Sequence, residues 1–309
     1  MEVIIFNNTC IYNDSKNETL IYGQYKSKFN RIVLLNNIIY KIIFCKDRKD
    51  FLIKVKGKLS KIDSIIYTFN NKKIIKNDIL LKYPFENCDI VLNKNSSIIS
   101  TMCKDYGHRL DEWIRYNLKL GFSGIIIFNN NEKNKNIPFK HSFSYLKEKY
   151  KKKLWIVDFE YKPMKGNHWN TIQRISLSLG VNAFKYKCKK IALIDADEFI
   201  HLPLNPKMNI NIFLSFYKTI TIKSNILTNK SNNDIIDNNV LDLALFVGDN
   251  KYTKTILDTR MLKEDEFIIT PHKHPTELLL NKDKIIHYHC WINDRCKYNN
   301  NMKMITFLN

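Results

Sequence analysis

No two of the seven cysteines stand in a CxxC spacing. Cys10, Cys45, Cys88, Cys103, Cys188, Cys290 and Cys296 are scattered and odd in number. That speaks against a disulfide framework and against a zinc knuckle, and a reducing compartment is the expected home. Long apolar runs are also missing. The N-terminal stretch Val3 to Phe6 is too short for a signal peptide, and no segment reaches the roughly 20 apolar residues of a bilayer-spanning helix. The expectation is a cytoplasmic protein, soluble or attached peripherally to a membrane. No internal repeat is visible. Acidic residues are few: 30 Asp plus Glu stand against 50 Lys plus Arg, a net charge of +20.

Two explanations of that charge stay open on composition alone. An acidic partner fits it, whether a nucleotide diphosphate, an anionic membrane lipid or a nucleic acid. A Lys-, Asn- and Ile-rich chain also arises from AT-rich coding with no binding role at all. What is plentiful is apolar residue, 44% of 309. This is enough for a sizeable core in one large domain or two ordinary ones, and it excludes general disorder.

The texture changes along the chain. Residues 1–95 carry β-branched and apolar clusters, such as Ile32-Val33-Leu34-Leu35, Ile42-Ile43-Phe44 and Ile65-Ile66-Tyr67, with no well-capped helix. They read as a small β-rich N-terminal domain without chemistry of its own. From residue 96 to 309 strands and helices alternate. Strands are expected at Ser97–Met102, Gly124–Phe128, Leu154–Val157 and Ile191–Ile194. Helices are expected around Leu110–Leu118, around Phe143–Lys151, and from Trp169 to a stop at Gly180. Ile212, Phe213, Phe216 and Ile220 fit one further helical face, with Asn225–Asn239 as loop and further strands expected at Leu243–Val247, Lys254–Leu257 and Lys284–His287. Such alternation predicts an α/β class with a mostly parallel sheet flanked by helices, whose ligand lies beyond the carboxyl ends of the strands.

The strongest local signal is Ile191-Ala-Leu-Ile-Asp195-Ala-Asp197-Glu198-Phe199. An apolar strand delivers two carboxylates to its end. In an extended segment, side chains two apart point the same way, so Asp195 and Asp197 are predicted to converge on one hard cation, Mn²⁺ or Mg²⁺, with a diphosphate completing the shell. The late histidines His272, His274, His287 and His289 match no zinc spacing.

The stretch resembles the D-x-D-E-F signature of glycosyltransferase family 92 and its family 2-like relatives, which adopt the GT-A fold. Lys104-Asp-Tyr-Gly-His-Arg-Leu-Asp-Glu112-Trp113-Ile-Arg-Tyr116, running on to Gly121, is similar to that family's K-N-E and E-W-I-x-Y-H-x-x-x-G opening. Ile125 to Asn130 resembles its Y-I-Y-D-N strand, Gly166 to Gln173 its G-x-x-Q segment, and Ile285-Ile286-His287-Tyr288 its terminal H-Y element. The match covers roughly residues 97–295 with the motifs in order. It implies a GT-A-type sheet and a metal-dependent sugar transfer, inverting, from a nucleotide-sugar donor to a glycan, lipid or protein acceptor. Lys104, Asn129, Asn130, His168, Gln173 and Asp195 would line the donor. Asp195, Asp197 and His287 would hold the metal. Asp105, Asn117, Asn129 and His168 depart from the family's usual Asn, His, Asp and Gln, which leaves the nucleotide and the sugar open. Inversion requires a general base; Asp242, Asp249 and Glu264 are the candidates. Two other classes compete. A basic nucleic-acid binder would interleave aromatics with its charge on a defined module, which is not seen, so no nucleic acid is expected as partner. A phosphohydrolase would need more acidic ligands for two metals.

Overall fold

The computed structural model describes residues 3–26, 29–35, 40–45, 49–69, 72–104, 109–130, 142–228, 245–263, 267–268, 270–275, 277–290 and 303–305. The chain opens with strands β1 (Val3–Ile5), β2 (Ile11–Asn13), β3 (Glu18–Tyr25) and β4 (Phe29–Leu35). Strands β5 (Tyr40–Cys45), β6 (Asp50–Lys56), β7 (Lys61–Phe69) and β8 (Lys72–Leu80) follow. β1, β2, β3, β6 and β5 form one antiparallel sheet, and β4, β7 and β8 a second. Ile21, Phe51, Ile53, Ile62, Ile65 and Tyr67 close the core between them.

The next segment does alternate. β9 (Ser97–Cys103), helix α1 (Leu110–Leu120), β10 (Gly124–Asn129), α2 (Phe143–Lys149), β11 (Leu154–Asp158), α3 (Trp169–Phe184) and β12 (Lys190–Leu193) come in turn. β9 is buried at every residue, as befits a strand covered on both faces. Leu110, Trp113, Ile114 and Asn117 form the buried stripe of α1, and Gly121 ends it at φ 110°, a left-handed conformation that glycine adopts without strain. Gly180 does something else: α3 runs past it to Phe184. A Cβ there would overlap Ser100 of β9. The glycine is required by close helix–strand approach and stops nothing.

Beyond β12 the alternation ends. β13 (Glu198–His201), α4 (Ile210–Ser215), β14 (Ile220–Thr228), β15 (Leu245–Asp258), β16 (Leu278–Leu279), β17 (Ile286–Cys290) and β18 (Lys303–Ile305) complete the described chain. The large sheet has ten strands in the order β11-β10-β9-β12-β15-β14-β17-β13, with β16 beside β14 and β18 beside β15. β11, β10, β9 and β12 make one parallel block, and β14 pairs in parallel with β17 and β16 further along the sheet. β15 enters antiparallel between β12 and β14, and β17 pairs antiparallel with β13. The expectation of a GT-A-type, mostly parallel sheet flanked by helices is therefore corrected. The chain is β-rich, with antiparallel and mixed sheets. The pattern of residues 97–193 does not extend to the C-terminal half, where one long antiparallel hairpin replaces helical crossovers. The predicted helix through Ile220 is likewise shorter: α4 buries Ile210, Phe213 and Leu214, Ile212 and the residue just past its end, Phe216, are exposed, and Ile220 begins β14. β14 runs on to Thr228, so the start of the stretch expected as loop, residues 225–228, is strand, and residues 229–239 lie outside the described residues.

Candidate functional site

β12 is apolar and buried, and it ends where Asp195 begins a tight turn into β13. The turn is closed twice. The Glu198 amide donates to the Asp195 carbonyl at 3.1 Å, and the Asp195 amide donates to Glu198 Oε2 at 2.9 Å. α1 fixes the far side: Trp113 Nε1 donates to the Glu198 carbonyl at 2.8 Å, and Tyr116 Oη to the Ile200 carbonyl at 2.7 Å. Since Asp195-Ala196-Asp197 is a turn, the two-residue alternation of a strand does not apply to it. The two carboxylates take different partners.

Asp195 is held by Gln173 of α3, whose Nε2 donates to Oδ1 at 2.9 Å, and by Lys254 of β15, which contacts Oδ2. Lys254 also lies 3.2 Å from Glu198 Oε2, and both of those side chains are 2% exposed. Burial works against all three charges. For Lys254 the two carboxylates outweigh it and hold the amine above its ordinary value. For Asp195 burial raises and Lys254 lowers, with a net fall. For Glu198 burial prevails and pushes the carboxyl up to about 7.

Asp197 faces His289, with Nε2 to Oδ2 at 3.0 Å. Burial lowers the His289 imidazole, but the hydrogen bond and charge of Asp197 outweigh it and carry it above 6.5. His287, expected at the metal, stands elsewhere. In the β13/β17 register Glu198 stands opposite His289, and Ile200 opposite His287. His289 is therefore next to the Asp turn, and His287 lies two pairs deeper. His287 is fully buried, with no hydrogen-bond partner on either ring nitrogen and Glu198 Oε1 at 3.6 Å from Nδ1. Burial holds it well below its ordinary value, hence neutral. His272 stands near Asp195; its Nδ1–H donates to the Thr253 carbonyl at 2.5 Å, which leaves Nε2 with a lone pair.

The remaining candidates divide. Asn129 ends β10 and donates to Asp158 Oδ1 at 3.2 Å, and Lys104 sits 4.8 Å above the Trp169 ring at the start of α3. Asn130 is buried and spends its amide on the carbonyls of Phe159 and Tyr161. His168 caps α3, accepting from the Asn170 amide at 3.1 Å. Asp242 and Glu264 lie outside the described residues, as does the side chain of Asp249. Among the described residues, no group of three or more His, Cys, Asp or Glu side chains forms a ready-made metal cage.

Sequence reading missed Lys254 because a lysine in Lys251-Tyr-Thr-Lys254-Thr reads as solvated; only the pairing of β15 with β12 buries it. No family model and no curated protein matches this chain. Among solved structures it is similar to a ferredoxin-NADP+ reductase from Plasmodium falciparum, at 11% identity over 62% of this chain and 82% of that one, with a TM-score of 0.18. A likeness that slight carries no argument about fold or activity.

Proposed function

We propose that the chain is a glycosyltransferase that moves a sugar from a nucleotide-sugar donor to an acceptor hydroxyl with the help of a divalent metal. The observation that carries the reading is the Asp197–His289 pair beside Asp195, on a rigid turn at the carboxyl end of a buried strand. Mg²⁺ and Mn²⁺ at nucleotide sites commonly take one or two protein ligands and fill the shell from substrate phosphates. The two side chains fit that chemistry without a full cage. A carboxylate paired with an imidazole favours Mn²⁺ over Mg²⁺. Bound there, the ion would offset charge developing on the departing diphosphate.

The chain's own groups supply the rest. Lys254 and Gln173 set the rotamer of Asp195, leaving a carboxylate that is 34% exposed to meet donor hydroxyls. Lys104 and Asn129 follow or end the parallel strands β9 and β10, at the same carboxyl end of the strands as Asp195. There they can reach the nucleotide. In the transfer, the acceptor oxygen bonds to C1 of the sugar while the bond from C1 to the diphosphate oxygen breaks. The electron pair leaves with the diphosphate, and the hydroxyl proton passes to a carboxylate base. The test is release of nucleoside diphosphate from a panel of nucleotide sugars with Mn²⁺. Activity on one donor that vanishes in Asp197→Asn is expected. No release from any donor, or full activity in that variant, would overturn the reading.

A further inference from the structure

A cleft of about 760 Å³ runs along β11, away from the Asp turn. β11 is the outermost strand of the large sheet, and no described strand pairs with its outer side. Asn8, Lys82, Tyr83, Pro84, Asn87 and Lys147 of α2 line it beside that strand. The volume falls within the ~300–1,000 Å³ of ligand pockets, and the cleft is open to solvent, so a chain molecule can enter it.

Three aromatic rings line it, each half-buried and tied down. Trp155 Nε1 donates to the Pro84 carbonyl at 3.1 Å. Tyr83 Oη donates to the Leu59 carbonyl at 2.5 Å. Tyr161 Oη accepts from the Asn8 amide at 3.3 Å, and its ring stacks on Phe6 at 4.0 Å between centroids. Rings fixed in advance lose little freedom on binding. Around them stand the amides of Asn8 and Asn87 and the carboxylates of Asp158 and Glu160, which between them donate to and accept from hydroxyl groups. Two lysines, Lys82 and Lys147, join those two carboxylates in the lining, with Lys147 Nζ 6.0 Å from the centre of the Trp155 ring. The local charge cancels, although the whole chain carries +20. A single nucleic-acid strand needs a groove of net positive charge, so the balance points to a neutral, polyhydroxylated ligand.

We propose that this cleft binds a stretch of neutral oligosaccharide, with C–H faces packed on the aromatic rings and hydroxyls bonded to the amides and carboxylates. Asp158 links it to the site described above, because its Oδ1 accepts from Asn129 at the end of β10. Resting on the transferase reading, the bound chain would be part of an acceptor glycan held beside the donor.

The experiment is an array of immobilised neutral oligosaccharides probed with the full chain, followed by titration of the best binder. Asn87→Trp fills the cleft from an exposed loop position, and Trp155→Ala removes a platform. Each is expected to weaken binding about tenfold or more, and Asn87→Trp should leave Mn²⁺-dependent nucleotide binding unchanged. Should Trp155→Ala fail to fold, Asn87→Trp alone decides. No oligosaccharide retained by the natural chain, equal affinity in Asn87→Trp, or retention only of oligonucleotides that salt removes would each overturn the proposal. Oligosaccharide binding without sugar transfer from any donor would leave the cleft standing and remove only the transferase reading.

Discussion

Lys254 is the residue on which the site depends most. It is the cation beneath two buried or half-buried carboxylates, and removing one partner of such a group leaves uncompensated charge inside the fold. Lys254→Met is expected to cost about 3–5 kcal/mol in urea unfolding, and an unchanged midpoint would contradict the burial argument. The His289 imidazole, held above 6.5 by Asp197, gives a pH dependence. A metal needs the neutral ring, so protons compete with it. Metal affinity should fall as the pH drops through the raised value and recover above it, and His289→Ala should flatten that profile. Cys10 offers a check remote from the site. Burial pushes its thiol up to about 12, so alkylation at pH 8 followed by mass spectrometry should mark Cys10 only after unfolding. At this scale the sequence disclosed Asp195 and Asp197 as a motif and His289 as a neighbour on the face of His287. Which histidine meets the motif was settled by a strand register, which no local pattern encodes. Lys254 was hidden because burial of a lysine is a tertiary fact.

Among elements, the junction of β12 and β15 sets the turn in place. Lys190 pairs with Asp258 in register, and their side chains meet at 3.0 Å with both 1% exposed, while Arg260 closes over the carboxylate at 2.6 Å. Burial by itself would raise Asp258, but hydrogen bonds from Arg260 and Lys190 hold it well below the usual carboxylate range. The folded value is depressed, so this contribution is present above the unfolded value of about 3.9 and is lost as pH falls through the folded value. Asp258→Asn should lower stability at neutral pH and remove that share of the acid dependence, both readable from melting temperatures between pH 2 and 7. The packing of α3 on β9 gives a second test. Gly180→Ala forces a Cβ onto Ser100 and should destabilise the fold by about 1–3 kcal/mol. The sequence displayed α1, α2, α3 and the strands from β9 to β12, because apolar spacing there is clean. It showed β15 only in pieces, at Leu243–Val247 and Lys254–Leu257, and read the end of β14 as loop, because polar residues interrupt both strands and their pairing leaves no local pattern.

For the whole molecule, the β-rich start and the larger sheet share apolar packing. Phe6, Tyr22 and Leu52 belong to the same buried cluster as Phe128, Phe159 and Ile172, and Asn182 Nδ2 donates to Tyr22 Oη at 2.7 Å. A chain beginning at residue 96 would expose one side of that cluster and is expected to aggregate or melt well below the full chain. Sequence texture separated the two parts at residue 95 but could not reveal the surface they share, because cross-contacts leave no periodic trace. No helix among the described residues is long and apolar enough to cross a membrane. The central claim remains the one about chemistry. Its most direct test is calorimetric titration of nucleoside diphosphates into the full chain with and without Mn²⁺, repeated on Asp197→Asn and His289→Ala. Binding of one nucleotide that needs Mn²⁺ and is lost in both variants, with the fold intact, is the expected result. Binding that ignores the metal, or that survives in both variants, would contradict the account.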